Sequence, residues 1–182
     1  MPPFSKPYAD FVARLRVPSG FLIVVVFAWL SHPTARSLEI GVPVSVVGLA
    51  LRSWAAGCLA KNQQLSTGGP YAYTRNPLYI GTLIVALGLV IASRNWTLAA
   101  FFAVVFLFVY LPVIQLEEQH LRELFPEYSR YAGQVPALFP RLTPAAPKSA
   151  HPFRTDLYLR NKEYQAALGF IAGMLFLLWK LG

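Results

Sequence analysis

Apolar residues gather along the chain in five long runs, separated by brief polar turns and by two longer polar segments, residues 60–76 and 117–163. A helix needs about 20 mainly apolar residues to cross the hydrocarbon core of a bilayer, with a range of roughly 17–25. The first run, from about Val17 to Leu30, is short. The second, from about Leu38 to Leu59, is interrupted by Pro43 and Arg52. The third, Pro77 to Ser93, opens with a proline, which suits the first turn of a helix because its missing N–H has no partner to lose. Only Arg94 and Asn95 separate it from the fourth, Trp96 to Leu116, so these two runs form a tight antiparallel hairpin. The fifth, from about Tyr164 to Leu181, carries Gly169 and Gly173 at the spacing that lets two helix backbones approach. The pattern predicts an all-α, polytopic membrane bundle of about five transmembrane helices. Short cytoplasmic helices are expected around Leu121–Phe125 and Glu127–Tyr131, within a single domain over residues 1–182.

Composition agrees with the pattern. The 182 residues are 55% hydrophobic and 13% charged, against roughly 25% charged in an ordinary soluble domain. The basic residues that give the net charge of +8 are scattered between apolar runs, which argues against a nucleic-acid surface. Short-loop Lys and Arg orient membrane proteins. With the N-terminus cytoplasmic, twelve of them (Lys6, Arg14, Arg16, Lys61, Arg75, Arg122, Arg130, Arg141, Lys148, Arg154, Arg160 and Lys162) share that side. Three, Arg36, Arg94 and Lys180, face the other, and Arg52 lies within a run. The expectation is therefore an integral membrane protein of a bacterial inner membrane, N-terminus inside and C-terminus outside, with both polar segments in the cytoplasm. Basic residues before the first run resemble a signal peptide, but no small-residue cleavage site follows Trp29, so this run reads as a retained span. The lone Cys58 excludes an internal disulfide and reads as a packing residue.

Chemistry concentrates in the two polar segments. The first, KNQQLSTGGPYAYTRNPLYIG (Lys61 to Gly81), is crowded with hydrogen-bonding groups, with a turn at Gly68, Gly69 and Pro70 and an extended lead from Asn76 into Pro77. A tyrosine-rich interfacial belt is its plainer reading. The second opens with Glu117 and Glu118 at the end of a span, a costly place for two carboxylates unless they meet water, a basic partner or a ligand. Glu118 and Arg122, four apart, could pair with each other. Glu117 and His120 have a metal-helix spacing without the second copy such sites require, so no metal is expected. His32 and His151, each before a proline, read as turn residues. No GxGxxG, Walker loop or GxSxG elbow occurs.

At these segments the sequence resembles the integral-membrane methyltransferases of the isoprenylcysteine carboxyl methyltransferase and phospholipid methyltransferase superfamily. LSTGGPYAYTRNPLYIG (Leu65 to Gly81) is similar to that family's L-x-T-x-G-P-Y…R-[HN]-P-x-Y-x-G pattern. EEQHLRELFPEYSRYAGQVP (Glu117 to Pro136) is similar to its second, Glu-Glu motif, so the resemblance covers roughly residues 40–141. It implies S-adenosylmethionine as methyl donor, bound at the cytoplasmic face, and a hydrophobic small-molecule or lipid acceptor arriving from the membrane. It points to Gln63, Leu65, Gly69, Pro70, Tyr71, Tyr73, Asn76, Pro77, Tyr79, Gly81, Tyr128 and Tyr131 as cofactor contacts. Arg75 would orient an anionic acceptor or the cofactor's carboxylate, and Glu117 and Glu118 would meet its positive charge or take a proton.

Three departures bear on the acceptor. Asn76 and Gln63 stand where protein-directed members carry His, and the basic residue expected soon after Val135 and Pro136 comes only at Arg141. They favour a lipid or other small hydrophobic acceptor over a prenylated protein cysteine. A membrane reductase of the sterol reductase type, using NADPH, shares a similar R-H-P-x-Y-x-G segment, but it uses additional spans and a basic cluster for the cofactor phosphate. A non-enzymatic membrane module is the other alternative. Membrane lipids are the expected surroundings, with the basic stretch from Lys148 to Lys162 on anionic headgroups and the proline-rich VPALFPRLTPAAP along the surface. The chain would act as a monomer or homodimer.

Overall fold

The computed structural model describes residues 6–145 and 152–181, and its regular structure is helical throughout. Helix α1 spans Lys6–Leu30, α2 Ala35–Gly57, α3 Pro77–Ser93 and α4 Trp96–Leu124. Two short helices, α5 (Tyr128–Gln134) and α6 (Thr155–Arg160), precede α7 (Tyr164–Leu181). All five apolar runs are helical. Helices α2, α4 and α7 have the length and composition to cross a membrane, while Pro18–Leu30 within α1 and Pro77–Ser93 are shorter. The 17 residues of α3 rise about 26 Å, a little less than a hydrocarbon core.

Two expectations are corrected. No separate helix forms at Leu121–Phe125, because nothing between Leu116 and Leu124 interrupts the ladder and these residues complete α4. The second correction concerns packing. Gly169 and Gly173 have no atom within 4 Å of a Cβ built on them, so their spacing joins no helices among the described residues. The close approach lies between α2 and α3 instead. A Cβ at Gly41 or Gly48 would fall 2.5 Å from the Gly88 carbonyl or 2.7 Å from that of Gly81, and one at Gly81 would fall 2.5 Å from Arg52 Cγ. Hydroxyls reinforce this seam, with Ser45 donating to the Val85 carbonyl and Ser37 to that of Ala92.

Turn chemistry sets the ends of the bundle. Thr34 and Ser37 form a reciprocal capping box at the start of α2. Arg94, in left-handed backbone at φ 55°, and Asn95, which caps α4 through Thr97 N, make the two-residue hairpin. Asn95 also donates to the Leu30 carbonyl, and Lys180 donates to the carbonyls of Ala28 and Trp29, so the end of α1, the hairpin and the end of α7 meet at one end of the bundle. Both long polar segments therefore lie at the other. Within α4, Phe106–Tyr110 is a π turn ahead of Pro112. Proline has no N–H to give the carbonyl four residues back, that of Phe108, and Tyr8 of α1 donates to this carbonyl at 3.0 Å.

Candidate active site

The loop from α2 to α3 is shaped by Gly69, whose φ of 55° favours glycine and opens a one-turn 3-10 helix, Gly69–Ala72. That turn drives Tyr71 inward against Ala55, Cys58, Leu59 and Leu78. Asn76, at φ −124° and ψ 54°, leads into Pro77 at the first turn of α3, short of the fully extended lead expected.

The chain after α4 wraps this loop through a series of hydrogen bonds. Tyr131 donates to the Tyr71 carbonyl at 2.8 Å, Arg75 N to Pro136, Arg141 N to Tyr73 and Ala145 N to Ala72. Thr74 and Asn76 both donate to the Ala137 carbonyl. The proline-rich stretch is thus bound to the first motif through Ala145, while Phe139 and Leu142 remain exposed. Leu65 packs with Tyr128, Tyr131 and Val135.

Arg75 is the hub. Four of its N–H groups donate: Nε and Nη2 to the two oxygens of Glu118 at 2.9 and 3.1 Å, and Nη1 to the carbonyls of Ala132 and Val135 at 2.8 and 2.9 Å. The two side chains are only 13% and 17% exposed. This bidentate pair replaces the Glu118–Arg122 pairing that spacing allowed, and Arg122 instead lies over the Tyr128 ring and reaches Ser129. Glu117 points elsewhere and accepts from the Tyr79 hydroxyl at 2.9 Å. Its neighbour in spacing, His120, is exposed, and no group of three or more His, Cys, Asp or Glu gathers among the described residues. His151 and Lys148 lie outside those residues.

Of the other residues singled out by sequence, Pro70, Tyr71, Pro77, Tyr79, Tyr128 and Tyr131 are buried in this junction, and Tyr73 is half-buried. Gly81 turns to α2, where the Gly48 carbonyl and Arg52 occupy the space beside it, so it serves helix packing. Gln63 lies on the outer side, its amide oxygen oriented to accept from Arg160 at 2.8 and 3.0 Å. A cleft between Leu65, Thr67, Glu127, Arg130, Tyr131 and Gln134 opens beside this junction.

Sequence reasoning missed a second bidentate pair. Arg52 donates through Nε and Nη2 to both oxygens of Glu163, and through Nη1 to Thr82 and the Leu78 carbonyl. An arginine inside an apolar run requires a counter-charge, and Glu163, the acid immediately before the last run, was the available signal.

The Tyr71 hydroxyl, like that of Tyr128, is buried without a hydrogen-bond partner among the described residues. Burial pushes the acidity of Tyr71 well below an ordinary phenol's, and Tyr131, Cys58, Glu117 and Glu163 act in the same direction. Burial likewise raises Tyr128 and Tyr131, with Glu118 adding to both and Arg75 opposing it. All three remain neutral donors at neutral pH.

The helical bundle and its polar end define a polytopic membrane protein with a largely buried carboxylate-, guanidinium- and tyrosine-lined junction. Residues 16–128 match the phospholipid methyltransferase family, and the chain belongs to it. Over 135 residues, 73% of the chain, it is 36% identical to the cobalt-zinc-cadmium resistance protein CzcN of Cupriavidus metallidurans. It is 34% identical over the same share to the nickel-cobalt-cadmium resistance protein NccN of Alcaligenes xylosoxydans xylosoxydans. Over 142 residues, 75% of the chain, it is 30% identical to the protein-S-isoprenylcysteine O-methyltransferase of Schizosaccharomyces pombe. The chain aligns with about three-fifths of the length of each of these relatives. No solved structure matches it.

Proposed function

We propose that the protein transfers a methyl group from S-adenosylmethionine to a lipidic or amphiphilic acceptor at the cytoplasmic face of a bacterial inner membrane, its N-terminus inside and its C-terminus outside. The observation that carries this reading is the Tyr71 hydroxyl, buried and without a hydrogen-bond partner among the described residues, in a family member's motif loop. Leaving such a donor unmade costs about 1–3 kcal/mol, so its retention fits a group completed by a ligand. The residues present suit this cofactor. Glu117, held by Tyr79, offers a carboxylate for its ammonium or sulfonium charge, and Tyr71 offers a neutral donor to an oxygen or nitrogen. Arg75, with four N–H groups committed, clamps the two motif segments together.

When bound, S-adenosylmethionine supplies an electrophilic methyl carbon for an in-line displacement. The chain's own part is to orient the reactants and exclude water. Tyr128, Tyr131 and Val135 seal the site from the solvent side, and Glu117 is placed to accept a proton if the acceptor is an amine. The bacterial relatives support a bacterial membrane, and the yeast methyltransferase supports the reaction class.

Calorimetric titration of the detergent-purified protein with S-adenosylhomocysteine tests the reading, with NADPH as comparison. Expected are binding of the homocysteine product, at least about tenfold weaker in Glu117→Gln, a loss of the size a charged contact supplies, and no binding of NADPH. Failure of wild-type protein to bind S-adenosylhomocysteine overturns it.

A further inference from the structure

Helix α7 is joined to the bundle chiefly at its two ends. Between them it offers mostly exposed apolar side chains, with only Leu177 buried. At the far end Lys180 reaches the last carbonyls of α1. At the near end Glu163, 8% exposed, is gripped by Arg52 through two hydrogen bonds. The chain leading into α7 is tied to the same place. Asn161 Nδ2 donates to the carbonyls of Ala56 and Leu59, both at 2.9 Å, closing the open end of α2. Arg154 N donates to the Gly57 carbonyl, and the Phe153 ring lies where a Cβ on Gly57 would be. Arg160 holds Gln63.

The anchor of this cover touches the candidate site from beneath. The Arg52 guanidinium that grips Glu163 also donates to the Leu78 carbonyl and to Thr82, residues on either side of Tyr79, whose hydroxyl holds Glu117. Arg52 also lies against Gly81, and Ala55 and Cys58, one and two turns further along α2, wall in Tyr71. One guanidinium thus links the chain beyond the family match, which ends at residue 128, to the turn of α3 that sets Tyr79 and Glu117.

We propose that Glu163 is a positioning residue for the cofactor site, acting through Arg52: their ion pair latches residues 152–163 over the end of α2 and fixes the first turns of α3 in the geometry that presents Tyr79, Glu117 and Tyr71. The site-coupling half rests on the cofactor reading above; the latch itself does not. Glu163→Gln keeps the shape of the side chain, removes its charge and leaves Arg52 with a weaker partner. Arg52→Lys keeps the charge but cannot serve Glu163, Thr82 and the Leu78 carbonyl together.

The only cysteine is a built-in reporter, because Cys58 is 2% exposed against Gly69 and Tyr71 at the end of α2, between Gly57 and Leu59, which this cover holds. In detergent-purified protein the rate of Cys58 modification by a small maleimide is measured with S-adenosylhomocysteine affinity, both well below the melting temperature of each variant. Expected in Glu163→Gln is Cys58 labelling faster by about tenfold and homocysteine-product affinity weaker by about tenfold, with Arg52→Lys intermediate in both, within the range that linked contacts transmit to a neighbouring site. Unchanged Cys58 labelling in both variants overturns the latch. Faster labelling with unaltered affinity overturns its link to the site. If Glu163→Gln fails to fold, Arg52→Lys carries the same two tests. Wild-type protein that binds no S-adenosylhomocysteine refutes the methyl-transfer reading alone, since the labelling comparison still decides the latch.

Discussion

Replacing Arg75 with alanine removes a guanidinium that makes two charge-assisted bonds to Glu118 and two bonds to the carbonyls of Ala132 and Val135. Glu118, 17% exposed, is left as a largely buried carboxylate that keeps the long contact from Asn76 at 3.4 Å but no cation. Breaking one side of such a pair costs about 3–5 kcal/mol. The two halves of the hub separate in a double-mutant cycle. The Arg75–Glu118 coupling should be about 1–3 kcal/mol. In a Glu118→Ala background, Arg75→Ala should still cost about 1–3 kcal/mol, because two carbonyls at the end of α5 lose their donor. Arg75→Lys should recover part of the coupling but little of the carbonyl contribution, since an ammonium cannot present the planar fork. The assay is equilibrium unfolding in mixed micelles of a mild detergent and SDS, followed by tryptophan fluorescence. A loss below about 1 kcal/mol for Arg75→Ala would refute the reasoning, as would a coupling indistinguishable from zero.

Tyr71→Phe removes a hydroxyl that no group among the described residues satisfies, so it should leave unfolding unchanged or more difficult while weakening S-adenosylhomocysteine binding by about tenfold; destabilisation without a binding defect refutes the role given to it. Gly88→Ala places a Cβ 2.5 Å from the Gly41 carbonyl and should cost about 1–3 kcal/mol, whereas Gly169→Ala and Gly173→Ala, facing open space, should stay within about 0.5 kcal/mol, all read by the same unfolding titration. Stability should fall as pH rises above the ordinary phenol value of 10.0. Tyr128 and Tyr131 are raised in the folded state by burial, so the unfolded chain releases their protons first, and their contribution is fully present below that pH and drains away above it. Tyr131→Phe, at a neutral-pH cost of about 1 kcal/mol for its bond to the Tyr71 carbonyl, should flatten that alkaline decline.

Much of this architecture was readable because it depends on local chemistry. Helix α3 begins at Pro77 and ends at Arg94 for reasons visible in a few residues, and the two-residue hairpin follows from the shortness of Arg94–Asn95. The Gly68–Gly69–Pro70 turn is equally local. Pairings between distant segments were legible only as types. Two acidic residues at the end of α4 announced a need for partners, yet spacing offered Arg122 to Glu118 and the fold supplied Arg75, 43 positions earlier, because Asn76–Pro77 brings the motif loop under the tip of α4. The glycine spacing on α7 misled for a related reason. Small residues permit close packing without choosing the partner, and here Gly41, Gly48, Gly81 and Gly88, on two helices, meet each other.

The Arg75–Glu118 and Arg52–Glu163 ion pairs share one construction. In each an arginine embraces a glutamate with two N–H groups and spends the rest of its fork on the backbone or hydroxyl of a third element: Arg75 joins the motif loop, α4 and α5, and Arg52 joins α2, α3 and the chain before α7. A lysine at either place would neutralise the acid but could not reach three elements at once. The choice of arginine therefore fits a need for geometry more than for charge balance. Hydrocarbon gives neighbouring helices little hydrophobic incentive to associate, so a site assembled from four helix ends must take its rigidity from polar links at the interface. Glu117 and Tyr71 sit between the two hubs. The Tyr71 hydroxyl finds no partner among the described residues, so a group suited to meet a ligand is one that neither hub consumes.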